Sequence, residues 1–397
     1  MTFEFDLITS IAITLLLLIA GSWAAGNLRI FSRFSIPGPV IGGFAFALLV
    51  LILRQTGVAE IKVDTSLQSL AMLAFFTTIG LGASLGLVKK GGKILIIYLV
   101  ACWTVAIFQN LIGIGLAKLL GIAPMLGIMA GAVSLEGGHG AAAAFGVTAA
   151  EMGYENASTV AIAAATFGLI AGSLTGGPLA TWLINRNKLK IETKDIDLGS
   201  VDQKKHEELD AGEVIIAGGI IAVVIVAGVA LGEWFADVSG YSLPGYVGAM
   251  LIAIIIRNIN DKLGWIRIND RVITMLSTLT LGFFLTQAMM SLKIWELYDL
   301  AGPLLIILFV QVAVLAAFVA FVVFRMMGRD YDAAVIAGGM MGHGMGATPN
   351  AIANMDAVGR RFGLQSRMAM IVVPLAGAVL IDIVAMPWIV FCMNWVG

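Results

Sequence analysis

Charge is what this chain has least of. Its 24 Lys and Arg and 25 Asp and Glu make up only 12% of 397 residues, about half of the roughly 25% found in soluble domains. With 59% hydrophobic residues and a mean hydropathy of +0.97, that shortage excludes a soluble enzyme, a nucleic-acid binder and a disordered scaffold. The chain reads as an integral membrane protein. A formal net charge of -1 gives no electrostatic bias toward polyanions. Cysteine is equally scarce: Cys102 and Cys392 both lie in apolar runs, read as small hydrophobes, and offer no disulfide framework. The cationic start of a secretory signal is missing too. Glu4 and Asp6 precede the apolar stretch from Leu7 to Gly26, and no Lys or Arg comes before Arg29, so a first spanning helix with its N-terminus outside is expected.

What is present is a series of apolar runs near 6–26, 37–53, 67–87, 94–116, 158–184, 213–231, 243–256, 272–292, 301–323 and 368–391. A helix needs about 20 residues to cross a bilayer, so these ten runs are expected to span. Two further stretches, 125–150 and 333–358, are rich in Gly and Ala but polar in the middle. Between the halves, thirteen of the 28 residues of 185–212 are charged, which keeps this linker out of lipid. The chain also repeats itself across the linker. Pro37 matches Pro244 at an offset of 207, Gln109 matches Gln311 at 202, and the Gly-His-Gly at 138–140 matches that at 342–344 at 204. A single duplication accounts for all three offsets.

Charge placement decides the topology. If each Gly-rich stretch dips into the membrane and returns, 20 of the 24 cations face the cytoplasm and only Arg54, Lys62, Lys118 and Lys293 lie outside, as the positive-inside rule requires. If the first stretch spanned instead, the split would be 6 inside and 18 outside. The expected fold is therefore an all-α membrane protein with two five-helix repeats of opposite orientation, 1–184 and 213–397, each carrying a re-entrant hairpin. Both termini are expected outside and the linker inside.

Inverted repeats with broken, Gly-rich segments characterise secondary transporters, whose sites form where unwound backbone and half-helix ends meet. The hairpin turns are therefore the candidate site. The first offers Ser134, Glu136, Gly137, Gly138, His139 and Gly140; the second offers Gly344, Gly346, Thr348 and Asn350. Ionisable groups at membrane depth are costly and usually functional. Asp382, the lone acid of 371–390, reads as a cation or ammonium ligand, against a structural hydrogen bond. Glu136 reads the same way, against a protonated carboxyl that pins the hairpin. No Lys or Arg falls mid-span, so an anionic substrate would be held by helix N-terminal amides, hydroxyls and co-bound cations. Sodium suits uncharged oxygen donors, and Thr77, Thr78, Gln109, Thr166, Gln287, Gln311, Asn350 and Asn354 are candidates, each weighed against plain helix packing. The sparse Cys, His and acidic residues argue against a transition-metal centre.

GGHG at 137–140, GMGATPNAIANM at 344–355, LAFFTTIGL at 73–81 and YDAAVIAGG at 331–339 resemble the bacterial sodium/glutamate symporters of the GltS type over nearly the whole chain. The resemblance implies sodium-coupled glutamate uptake in the bacterial inner membrane by alternating access, an elevator-like movement, a homodimer, sodium as the coupling ion and no organic cofactor. Substrate would sit at the hairpin tips, and sodium among Asn350, Asn354, Asp382, Thr166, Gln109 and Gln311. The competing readings are a cation/proton antiporter or channel and a symporter for another small carboxylate. A membrane enzyme is disfavoured, since no nucleophile–base pair, metal cluster or phosphate loop is evident.

Overall fold

Asp6 starts the first helix: its carboxylate accepts the Thr9 N–H at 2.9 Å, and the apolar residues that follow run as α1 (Leu7–Asn27). After the short α2 (Arg29–Arg33), Pro37 leads into α3 (Gly38–Gln55); its fixed φ suits a helix start. Next come α4 (Ser66–Gly82) and α5 (Gly86–Leu119), bent at Gly92, whose φ is 60°. The first Gly-rich stretch folds as α6 (Pro124–Met129), α7 (Ala132–Leu135) and α8 (Gly138–Glu151), and α9 (Ala157–Arg186) closes the first half. The second half holds α10 (Ala211–Ser239), α11 (Gly245–Leu263) behind Pro244, and α12 (Asp270–Met290). Then α13 (Ala301–Phe318) continues through a π segment into α14 (Phe324–Met326). The second Gly-rich stretch is α15 (Tyr331–His343) and α16 (Thr348–Phe362), and α17 (Arg367–Leu375) and α18 (Asp382–Val396) end the chain.

This computed structural model describes residues 2–34, 36–192, 210–346 and 348–397. Most of the expected linker, residues 193–209, lies outside the described residues. The protein is mostly helical, and among the described residues seven stretches are long and apolar enough to cross a membrane. Most of the expected apolar runs each fall in one helix, but 67–87 covers α4 and crosses the break at Ala83–Leu85 into α5. Two features are absent from the sequence expectation. A parallel pair of short strands, β1 (Thr2–Phe5) and β2 (Glu60–Val63), ties the chain start to the segment after α3. The last apolar run is not one continuous helix: Pro374, which cannot donate a backbone hydrogen bond, is followed by a π turn over Ala376–Leu380, and α18 restarts at Asp382.

The helices pack in two layers, each taking elements from both halves. One layer joins α1, α3 and α4 to α10, α11 and α12; the other joins α5 to α9 with α13 to α18. Glycines set the close approaches. A Cβ on Gly21 would stand 2.0 Å from the Gly38 carbonyl oxygen, and one on Gly228 2.3 Å from backbone atoms of Ala249, so α1 meets α3, and α10 meets α11, backbone to backbone. The second layer is the better buried. Every residue of α15 is buried, whereas α1 and α10 leave most of their apolar surface exposed.

Candidate functional site

The two Gly-rich turns meet. Gly138 has φ +61°, and a Cβ there would lie 2.5 Å from the Gly346 carbonyl oxygen, so both the backbone conformation and the space exclude a side chain. Behind the contact, Asn110 Oδ1 accepts the Ala132 N–H at 2.9 Å, capping the break between α6 and α7. Gln109 Nε2 donates to the Gly344 carbonyl at 2.7 Å, and Gln311 Nε2 donates to the Gln109 carbonyl at 2.7 Å. The two glutamines that match across the sequence repeat are thus linked to each other and to the second turn.

Between the layers, directly before the paired turns, is a cavity of about 880 Å³. Its far wall is mostly apolar, with Phe75, Phe76, Met275 and Leu285 from α4 and α12, and holds the Ser22 and Thr278 hydroxyls. Its near wall carries the polar groups. Glu136, Gly137, Gly138, His139 and Gly140 line it from the first turn; Gly346, Thr348 and His343 from the second; and Asp382 at the start of α18. Among the described residues no Lys or Arg lines it. Glu136 is buried, and neither of its carboxylate oxygens has a hydrogen-bond partner. Asp382 is half-buried and makes no hydrogen bond or ion pair with another described residue. A buried carboxylate without a partner is a costly arrangement that a bound cation would relieve. The first-turn amides of α8 have no side-chain cap, so they remain donors at the positive end of a helix.

The other sequence candidates stand behind this wall. Ser134 is fully buried; its hydroxyl donates to the Ala161 carbonyl at 2.7 Å and also contacts the Met129 carbonyl. Thr166 donates its hydroxyl proton to the Ile162 carbonyl at 2.9 Å, so at 3.0 Å it accepts from His139 Nε2–H. That fixes the His139 tautomer, with Nδ1 bare. Asn350 donates to the Leu169 carbonyl at 2.9 Å and accepts from the Ser173 hydroxyl. Asn354 donates to the Gly172 carbonyl at 2.9 Å. These amides fasten α16 to α9, and Gly344 presents its carbonyl to Gln109 instead of to the cavity.

Two contributors were not singled out in the sequence. Gly168, Gly172 and Gly176 form a stripe on α9, where a Cβ would strike the Met345 carbonyl at 2.4 Å, Asn350 Nδ2 at 2.9 Å and Asn354 Nδ2 at 2.1 Å. The four-residue glycine spacing, a known helix-packing pattern, was the available signal. Gly377, in the π turn, would place a Cβ 2.5 Å from His343 Cδ2 and 2.6 Å from Thr348 Oγ1, so its bareness lets the broken last helix approach the second turn. The sequence signal was Pro374 upstream.

Residues 3–364 match the family model for the sodium/glutamate symporter. A sodium/glutamate symporter of Escherichia coli strain K12 is 39% identical over 392 residues, covering 96% of each chain. One from Haemophilus influenzae is 38% identical over 391 residues, covering 97% of this chain and 96% of its own. Among solved structures, a sodium proton antiporter of Methanocaldococcus jannaschii aligns over 98% of this chain and 96% of its own, at 15% identity and a TM-score of 0.44. With a family match across nearly all its length and relatives this close, the chain belongs to the sodium/glutamate symporter family.

Proposed function

We propose that this chain carries glutamate into the cell with sodium, across the bacterial inner membrane, without enzymatic activity and without an organic cofactor. One observation carries the reading. The cavity before the paired turns combines two carboxylates that lack protein partners with uncapped helix-start amides and, among the described residues, no Lys or Arg. Glutamate brings two carboxylates and one ammonium. Its carboxylates match the amides at the starts of α8 and α16 and the Thr348 hydroxyl; its ammonium and a sodium ion match Glu136 and Asp382. In this reading Gln109, Gln311, Asn350, Asn354, Ser134 and Thr166 hold the turns in place from behind. An empty carrier would keep like charges in the cavity, and co-binding removes that cost, which is a direct source of coupling.

The same reading takes the chain as ten spans in two inverted repeats with re-entrant hairpins. Several contacts support it. Gly38 would place a Cβ 2.7 Å from Ser22 Cα, and Gly245 one 3.1 Å from Val229; both partners are displaced by 207 residues. The two ends of the second hairpin lie side by side, since Tyr331 Oη donates to the Leu364 carbonyl at 2.5 Å and Ser366 Oγ to Asp332 at 2.6 Å. Cations assigned outside meet neighbouring segments: Lys62 pairs with Glu4 at 3.0 Å, Arg54 lies 4.1 Å over Trp295, and Lys118 5.7 Å from Trp395. A homodimer working by an elevator-like movement of the hairpin layer is part of the proposal, on the family resemblance.

The test is uptake of labelled glutamate into proteoliposomes. An inward sodium gradient should drive accumulation, and replacing sodium by potassium should abolish it. Uptake that persists unchanged in potassium would refute sodium coupling.

A further inference from the structure

We propose that Cys102, Glu136 and His343 form a binding site for a thiophilic divalent cation of the zinc type, set at the back of the cavity and bridging both hairpin turns. One ligand atom from each, the Cys102 Sγ, a Glu136 carboxylate oxygen and a His343 ring nitrogen, lie within 4.8 Å of one another, and all three residues are buried. Zinc bound at about 2.3 Å to sulfur and about 2.0 Å to nitrogen and oxygen would hold these atoms roughly 3.3–3.7 Å apart, within reach of small side-chain rotations. Glu136 and His343 are also unmatched without it. Neither Glu136 oxygen has a hydrogen-bond partner, nor does His343 Nδ1. Three buried side-chain atoms of two neighbouring residues left unpaired are rare unless something satisfies them together.

Thiol, imidazole and carboxylate are the ligand set of a borderline-soft cation; sodium gains nothing from a thiolate. Glu136 and His343 line the cavity while Cys102 lies behind them, so the metal has a route in and the Cys102 proton a route out as the thiolate forms. Three protein ligands leave a fourth position open toward the cavity. The ligands come from α5, the first turn and the second hairpin, which is why no spacing in the sequence announces them. An occupied site would tie the two turns to α5.

The test is cobalt binding to purified, untagged protein, and it is read without transport, so it stands or falls separately from the proposed uptake. One Co²⁺ per chain should give visible bands of tetrahedral intensity and a near-ultraviolet sulfur-to-cobalt band, both displaced by Zn²⁺. Cys102→Ser should lose the sulfur band, and Cys392→Ser should keep it. His343→Gln should weaken binding by at least about tenfold while the protein still melts cooperatively; it carries the test if Cys102→Ser does not fold. Absence of bands in the folded wild type, a sulfur band that survives Cys102→Ser, or unchanged affinity in folded His343→Gln would overturn the site.

Discussion

Asp382 begins a helix in the middle of the last apolar run, opens to the cavity, and has no partner among the described residues. A carboxylate kept there in that state is explained by a cation that joins it. Asp382→Asn keeps the shape and one oxygen while removing the charge. The half-saturating sodium concentration for uptake should rise roughly tenfold, equivalent to about 1.4 kcal/mol, with partial rescue at high sodium. Uptake against sodium concentration, together with melting of purified protein, checks this; an unaltered sodium curve with a lowered melting temperature would make Asp382 structural. Gly138 tests the contact between turns. Alanine there would hold a left-handed φ at a cost of about 1–2 kcal/mol and press its Cβ on the Gly346 carbonyl. Gly138→Ala should therefore lower glutamate uptake at least tenfold, and an active variant would show that the turns need not touch.

At the scale of elements, α15 has 13 residues and α16 has 15, or about 20 and 22 Å of helix, too short for the roughly 30 Å of bilayer hydrocarbon. Their shared turn, buried against α9 and Gly138, fits a hairpin that enters and leaves on one side. Cysteines introduced as Lys190→Cys and Arg361→Cys, in protein freed of Cys102 and Cys392, should then both react with an impermeant maleimide from the cytoplasmic side only. Reaction from opposite sides would mean that the second Gly-rich stretch spans. The Gly-His-Gly turns and the lone mid-span acid that line the cavity were legible in advance, because they are local signals. The role of the amides was not. Asn350 and Asn354 show an inviting one-turn spacing, yet their partners Leu169 and Gly172 lie 181 and 182 residues away, on a helix whose facing stripe is defined only by missing side chains. The π turn before Asp382 was hidden likewise, since an apolar run reads the same whether its backbone is continuous or broken.

Across the whole molecule, each half contributes helices to both layers, and the cavity lies on the seam between them. The far wall is mostly apolar and carries no carboxylate, whereas both carboxylates that line the cavity belong to the hairpin layer. Substrate and sodium would then travel with that layer, while the other stays as a track. Among the described residues the polar ties across the seam are few: Asn394 accepts the Ser242 N–H at 2.7 Å and donates to the Ser242 carbonyl at 2.8 Å. The Thr148 and Tyr246 hydroxyls lie 3.3 Å apart, beside the edge-on stacking of Phe145 and Tyr246 at 5.3 Å. A carrier that moves by sliding must break such contacts in every cycle; one that opens only by small gate movements at the turns can keep them. The double substitution Thr148→Cys and Tyr246→Cys, in a cysteine-free background, separates these cases. A short bifunctional, reducible thiol reagent should link the two positions, block sodium-driven glutamate uptake by more than tenfold, and release the block on reduction, while each single cysteine treated alike keeps its activity. Full uptake with the link shown to be complete by mass spectrometry would rule out sliding of the layers and leave local gating at the hairpin turns as the way the cavity changes sides.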